Sequence, residues 1–406
     1  MSKVVITSGV RTAIGTFLGR LKTVPVEELA SIAVKGALNR LKDMEPSLVD
    51  DVVMGHVESS GDAPNLGRNA ALLAGLGHVP GYTVNRICGS GLQSIISGTQ
   101  DILTNNSEIV VAGGAESLSR APYYLPLEVR YEGFKMGNQE LQDANTKYHH
   151  NAQPYPQFPI MHMGNTAENV VKKYNIPRKD QDEFAYHSQM KAKAALDSKR
   201  FAKEIVPVEV KGRRGTVTVV DTDEHPRPDT TLEVLSTLKP VFEKNGTITA
   251  GNASGLNDGG AALVLMTKEK AKELDLTPLA EVIDFAIAGL DPSVMGLGPA
   301  YAIDKLLKKV GMKKKDIDLY EINEAFAGQM LGVMKEMDMY LDSPLYERLN
   351  VNGGSIALGH PLGMSGTRIT MTLMYELLER NLKYGIASAC IGGGMGIALL
   401  IKNTNV

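Results

Sequence analysis

VNRICGSGLQSI, residues 84–95, passes from a short apolar run through Cys88 into a glycine-flanked stretch with helical spacing. VNGGSIALGHPLGMSGTRI, residues 351–369, follows the same plan with His360 in the turn. Downstream in each half, EIVVAGGAES (108–117) corresponds in position to YGIASACIGGG (384–394), where a strand-like run ends on Cys390. The spacing between these landmarks is similar although direct identity is low. Working outward, Val4–Thr7, Asp51–Met54, Tyr82–Asn85 and Ile109–Gly113 read as buried strands. In the later half Leu279–Phe285, Ile317–Ile322, Leu349–Asn352 and Tyr384–Cys390 read the same way, with helical segments such as Ala300–Lys309 between them. Leu29, Ala33, Ala37 and Leu41 recur at spacing four, as the sheet-facing side of a helix should. The pattern predicts an α/β protein of two related halves.

The chain has 406 residues, more than one core usually supports. Its composition, 43% hydrophobic and 22% charged, is that of a folded globular protein. The net charge of -3 arises from interspersed signs, which excludes the polycationic field of a nucleic-acid binder. No apolar run approaches the roughly 18 residues of a membrane span, and neither a secretory signal nor an organellar presequence is evident. These readings predict a cytoplasmic protein with small-molecule partners. Cys88 and Cys390 are the only cysteines, so a disulfide framework and a cysteine-rich zinc site are both excluded.

Residues 121–250 interrupt the rhythm. Tyr123 to Met161 clusters Tyr, His, Pro, Asn and Gln without clear periodicity and predicts an irregular segment lying over a site. A helix is expected to open at Asn165, with Asn165 as its cap and Glu168 in the first turn, and another after Pro177. KGRRGTVTV then leads into a strand. An excursion of this size between two halves is a natural substrate-binding insertion.

Cys88 stands where a strand is expected to turn into a helix. There the free backbone N–H groups favour a thiolate, and neighbouring glycines let a substrate approach the main chain. A lone Cys is usually a small buried hydrophobe, but such a residue needs no glycines crowded after it. His360, held between Gly359 and Pro361, is placed to reach inward rather than to pack. Cys390 meets a glycine run whose N–H groups can hold a developing oxyanion. The dinucleotide glycine pattern, a phosphate loop, a zinc-type H-E-x-x-H and a serine elbow are all missing. Strands in adjacent positions would bring the Cys, His and Cys turns together.

The sequence resembles the thiolase family along essentially its whole length, most closely the acetyl-CoA acetyltransferase branch. The resemblance is carried by NRICGSGL around Cys88, VAGGAES (111–117), MHMGNTAENV (161–170), TAGNASGLNDGGAA (249–262), DPSVMGLGP (291–299), NEAFA (323–327), NVNGGSIALGHPLGMSG (350–366) and CIGGGMG (390–396). It implies a five-layered α-β-α-β-α fold: an N-terminal half over 1–120, a loop domain over 121–250, a return to the first half over 251–275 and a C-terminal half over 276–406. It further implies that His360 activates Cys88, which takes an acyl group from a CoA thioester, and that Cys390 is the acid/base at C2 of the second acetyl unit. Cys88 and Gly392 would form one oxyanion site, and His360 with a water on Asn323 the other. By the same resemblance His162, Ala250, Ser254, Met295, Ala325 and Phe326 line the pantetheine and acyl groups, and Arg227 lies by the adenine. No metal or cofactor is implied besides CoA as substrate and product, and the expected assembly is a homodimer or homotetramer in lipid metabolism. The sequence departs from the family pattern in the length of 121–160, at Val234 and over 337–349. The rival readings are a broader-specificity 3-ketoacyl-CoA thiolase, a condensing enzyme of the ketoacyl-synthase type, and a non-catalytic acyl-CoA binder. NEAF and CIGGGMG oppose the second, and the presence of Cys88, His360 and Cys390 together opposes the third.

Overall fold

The computed structural model describes residues 3–42 and 44–406, with the backbone alone at position 149. The main sheet uses nine long strands: β1 (Val4–Thr12), β2 (Asp51–Gly55), β3 (Gly81–Val84), β4 (Ile109–Ser117), β5 (Asn257–Thr267), β6 (Ala280–Gly289), β7 (Leu319–Ile322), β8 (Tyr384–Ile391) and β9 (Met395–Asn403). Their spatial order is β7-β8-β9-β6-β1-β5-β4-β2-β3. Across the centre, β1 and β6 share only the pairs Val5 with Glu281 and Ile6 with Ala280, so this sheet is two sheets touching at one corner. From that corner outward the first half runs β1-β5-β4-β2-β3 and the second β6-β9-β8-β7. In both, the first pairings are antiparallel and the later ones parallel. One strand order has been used twice.

Alternation along the strands builds the layers. In β1, Val4 and Ile6 face the cluster between the two sheets while Val5 and Val10 face the opposite side; in β5, Leu263 and Leu265 face inward and Val264 and Met266 outward. β9 does the same with Leu399 and Ile401 against Ala398 and Leu400. Helix α1 (Val26–Asn39) covers the outer face of the first half, and its buried stripe includes Leu29, Ala33 and Ala37 as expected. Between the sheets lie α2 (Ser90–Leu103), which opens just after Cys88, and, later in the chain, a helix that opens just after His360 (Leu362–Glu379). On the far face of the second half lie Gly298–Val310 and Ala327–Glu336. Three apolar clusters therefore separate five layers.

Two of the expected strands need correction. Leu349–Asn352 is not a strand: only Leu349 bridges to Tyr320, because Asn350 adopts a positive φ and its side chain takes the hydrogen bonds of Ile322 that a continuing ladder would use. β3 is a half-buried edge strand rather than a buried one, having a partner on one side only.

Within 121–250, α3 (Met163–Tyr174) and α4 (Arg178–Asp197) form, and the RRG turn joins Val208–Lys211 to Val217–Val220 as a separate two-stranded sheet. The helix before Pro177 does not open at Asn165. His162 is the N-cap, its Nδ1 accepting from the Gly164 N–H at 3.1 Å, and Asn165 sits at the third helical position and accepts from the His162 N–H. Glu168 is instead buried and accepts from the Thr247 and Ile248 N–H groups. The excursion is tied back to β1 by Arg11, whose guanidinium pairs with both oxygens of Asp223 at 2.7 and 2.8 Å and with Glu204 at 3.0 Å. All three side chains are fully out of water, so losing one partner strands a charge.

The two inner helices touch backbone to backbone at their first turns. A Cβ on Gly366 would sit 2.2 Å from the Leu92 nitrogen, and one on Gly91 would sit 2.6 Å from the Thr367 nitrogen. Gly366→Ala should therefore lower the urea midpoint by the equivalent of about 1–3 kcal/mol or more, while Gly77→Ala, where a methyl would meet nothing within 4 Å, should leave it nearly unchanged.

Candidate active site

Cys88 lies in a tight turn between β3 and α2. Ile87, a β-branched residue, holds φ at 48°, a conformation costing about 1–3 kcal/mol that persists only when neighbours enforce it. They do so here. The Asn85 carboxamide accepts from the Ile87 N–H at 2.9 Å, and Ser90 accepts from the Arg86 N–H and donates to the Ile87 carbonyl. The result turns Cys88 away from the strand direction into a nest of Val57, Leu118 and Leu362 beside Tyr148.

Burial pushes the Cys88 thiol up to about 11, opposed by N–H groups of Gly392 and of Cys88 itself that face the sulfur. Cys390, at the end of β8, is fully buried among Met163, Met295, Ala325 and Phe326. Its thiol is raised by burial and then by the neighbouring Cys88, so the two sulfurs share one environment. Gly392, two residues beyond Cys390, has its open side against Met163, Ala152 and Ile87, which leaves it facing the Cys88 turn.

His360 reaches the same place from the second half. Its own N–H donates to the Asn257 carboxamide oxygen at 2.8 Å, fixing the loop. Ser365 Oγ donates to the Pro361 carbonyl at 2.8 Å, so it must accept from His360 Nδ1 at 2.6 Å. That assignment leaves Nε2 as the bare nitrogen, 3.3 Å from Asn323 Nδ2, which donates to it. Burial, reinforced by Arg368, lowers the imidazole to about 3. Site groups at rest are thus a neutral thiol and a neutral imidazole whose Nε2 lone pair accepts from Asn323.

A cavity of about 320 Å³ opens onto His360. Leu118 and Leu362, which pack on Cys88, form part of its wall, with Ser254 and Phe326 opposite. His162 and Phe242 stack there with ring centroids 4.7 Å apart, and burial lowers the His162 imidazole to about 4. Met295 and Ala325 lie deeper, against Cys390, and the Ser254 N–H donates to the Ala325 carbonyl at 2.9 Å. Ala250 and Arg227 do not line this cavity. Both are exposed, and Arg227 is held by its backbone N–H on Gln189. Phe242, Leu118, Leu362 and Ser365 are wall or support residues that the sequence reading passed over. Leu362 and Ser365 stood inside the quoted His loop and could have been found there, whereas nothing local marks Phe242. Among the described residues no group of three or more His, Cys, Asp or Glu could hold a metal, and no helix is long and apolar enough to cross a membrane.

The class these features define is an α/β protein of two like halves whose site forms where the helix starts of both halves meet. Family models for the thiolase N-terminal domain and the thiolase C-terminal domain match residues 4–269 and 276–403. The chain belongs to the thiolase family. It is 47% identical over 403 residues to an acetyl-CoA acetyltransferase of Cupriavidus necator, covering 99% of this chain and 100% of that protein. The crystal structure of the Bacillus anthracis acetyl-CoA acetyltransferase superposes with a TM-score of 0.94 at 48% identity, covering 99% of each chain. Human mitochondrial 3-ketoacyl-CoA thiolase in complex with CoA matches with a TM-score of 0.91 at 44% identity over 99% of this chain and 98% of that one.

The neutral, buried imidazole has a consequence for stability. An unfolded histidine binds a proton near pH 6.5, whereas native His360 refuses one until about 3. Between those limits the unfolded chain holds more protons, so stability falls as the pH drops, by up to about 1.4 kcal/mol per pH unit from this group. His360→Gln should accordingly show a shallower loss of urea midpoint on acidification over that range than the wild type; equal slopes would place a charged His360 in the native site.

Proposed function

We propose that the chain is an acetyl-CoA C-acetyltransferase, catalysing the reversible condensation of two acetyl-CoA molecules to acetoacetyl-CoA and CoA through an acetyl-Cys88 thioester. The observations that support this reading are that a Gly392 N–H faces the Cys88 sulfur, that Cys88 acts on the Cys390 thiol, and that His360 lines a cavity whose wall residues Leu118 and Leu362 pack on Cys88.

In the proposed course, His360 Nε2 takes the Cys88 proton as the sulfur attacks the thioester carbonyl of acetyl-CoA. The tetrahedral oxygen lies toward the N–H groups of Cys88 and Gly392, both already turned to the sulfur. Collapse expels CoA as a thiolate that takes the proton of Cys390, leaving a Cys390 thiolate, while His360 keeps the Cys88 proton on Nε2. The Cys390 thiolate then removes a proton from C2 of a second acetyl-CoA, and the enolate oxygen is stabilised by the protonated Nε2 of His360 and by a water on Asn323. The carbanion attacks acetyl-Cys88, the tetrahedral intermediate collapses to acetoacetyl-CoA and a Cys88 thiolate, and that thiolate recovers its proton from His360, while Cys390 keeps the proton taken from C2. Thiolysis retraces these steps. Burial raises both thiols, so neither sulfur ionises by itself at neutral pH; each gives up its proton only to a positioned base within a site that then holds the charge.

Met163, Met295, Ala325 and Phe326 crowd Cys390, which supports a preference for acetyl and acetoacetyl groups over long acyl chains. We assign the 121–250 excursion the role of CoA-facing cover, since it supplies His162, Met163, Phe242 and Tyr148 to the walls. We also assign Arg227 and Ala250 to the outer end of that route, Arg227 beside the adenine, in keeping with the exposure of both. We also propose a cytoplasmic homo-oligomer. The exposed Tyr123, Leu127, Tyr131 and Phe134 are apolar enough to support an interface between copies.

Steady-state thiolysis of acetoacetyl-CoA by the purified protein tests the reading. Turnover is expected, with Cys88→Ala reducing kcat by about 10³-fold or more. A second expectation concerns chain length: kcat/KM for acetoacetyl-CoA should exceed that for a long-chain 3-ketoacyl-CoA by at least about tenfold, the worth of a methylene or two of misfit. The reverse ratio would assign the chain to fatty-acid breakdown instead.

A further inference from the structure

Arg368 lies in the Leu362–Glu379 helix, eight residues beyond His360, with a side chain only 1% exposed. Among the described residues its Nε and Nη1 have no hydrogen-bond partner, and the nearest carboxylate oxygen, Glu321 Oε2, is 3.7 Å from Nη1. A cation buried with two idle donors is an expensive arrangement for packing alone. Its remaining contact is informative. Nη2 donates to Ser355 Oγ at 3.1 Å, and Ser355 Oγ lies 2.6 Å from Asn323 Oδ1. Asn323 Nδ2 in turn faces His360 Nε2.

An arginine can only donate, so it occupies a lone pair of the Ser355 hydroxyl and sends the hydroxyl proton toward Asn323. Asn323 must then present its oxygen to Ser355 and its nitrogen to His360. Without that constraint the carboxamide could turn over with almost no change of shape, placing a carbonyl where the reaction builds negative charge. We propose that Arg368, acting through Ser355, is a positioning residue that sets the direction of this hydrogen-bond chain, so that Asn323 offers N–H rather than C=O to the oxyanion side of the site. The opposite end is fixed independently by Ser365, which makes Nδ1 the protonated nitrogen of His360. Both ends thus hold the imidazole–carboxamide pair in one sense. The positive charge of Arg368 also disfavours a proton on His360, in the same direction.

The proposal rests on the acetyltransfer reading, and the test separates the two. Wild type, Ser355→Ala, Asn323→Ala, the Ser355→Ala/Asn323→Ala double variant and Arg368→Gln are assayed for acetoacetyl-CoA thiolysis, with circular dichroism and urea midpoints to identify any variant that fails to fold. A wild type without turnover refutes the acetyltransfer reading itself. Given turnover, folded Ser355→Ala is expected to lose about 10- to 100-fold in kcat with KM within about twofold, as for a misplaced oxyanion donor. The double variant should be no slower than Asn323→Ala alone, because Ser355 acts only through Asn323. Arg368→Gln, if folded, should resemble Ser355→Ala. A Ser355→Ala kcat within about twofold of wild type, or losses that multiply in the double variant, would overturn the proposal.

Discussion

The rest of the structure depends on the contact between two helix starts whose main chains meet at glycines. Gly91 and Gly366 let α2 and the Leu362–Glu379 helix meet main chain to main chain, and a Cβ on Gly114 would lie 2.0 Å from the Gly363 carbonyl oxygen. This closeness is what brings Cys88 and His360, each a few residues before its helix, to one point. Glu116 adds a polar clamp at the same junction: one carboxylate oxygen accepts from the Gly363 N–H at 2.8 Å and the Val57 N–H at 3.1 Å. The duplication of the strand order thus has a chemical meaning, since it sets two equivalent turns face to face. Cys390 joins them from the end of β8, a neighbouring strand of the second half.

Electrostatically the site is kept neutral until substrate arrives. Burial raises both thiols and lowers His360, so charge separation is disfavoured in the resting state. Such a site rewards groups that hold transient negative charge, here backbone N–H groups and a carboxamide already pointing the right way, because they need no reorganisation when the charge appears. The polarity of those groups is set deeper in the protein. Ser365 orients His360 from one side, and Ser355 with Arg368 orients Asn323 from the other. Strain at Ile87 belongs to the same design, being held by Asn85 and Ser90 so that Cys88 faces the second half.

Much of this was legible in the sequence, for identifiable reasons. Short apolar runs announced β1, β4 and β8, and the glycines around Cys88 and His360 announced tight turns before helices. What local pattern could not show was competition from side chains. Asn350 ended a strand at its first residue by taking backbone hydrogen bonds for itself, and His162 displaced Asn165 as a helix cap by using a ring nitrogen as acceptor. Phe242 was invisible for a different reason: it stacks on His162 across 80 residues of chain, and only the tertiary fold creates the pair. Arg227 and Ala250 came from resemblance alone, and both lie outside the cavity that His360 lines.

The most direct measurement is peptide mass spectrometry after mixing the protein with acetyl-CoA, in the wild type and in Cys390→Ala. With Cys88 as nucleophile and Cys390 as the base for the second substrate, the acetyl group should be found on Cys88 and should persist in Cys390→Ala, where condensation cannot proceed. An acetyl group on Cys390 or on a lysine, with Cys88 unmodified in both proteins, would contradict the site formed by the two halves.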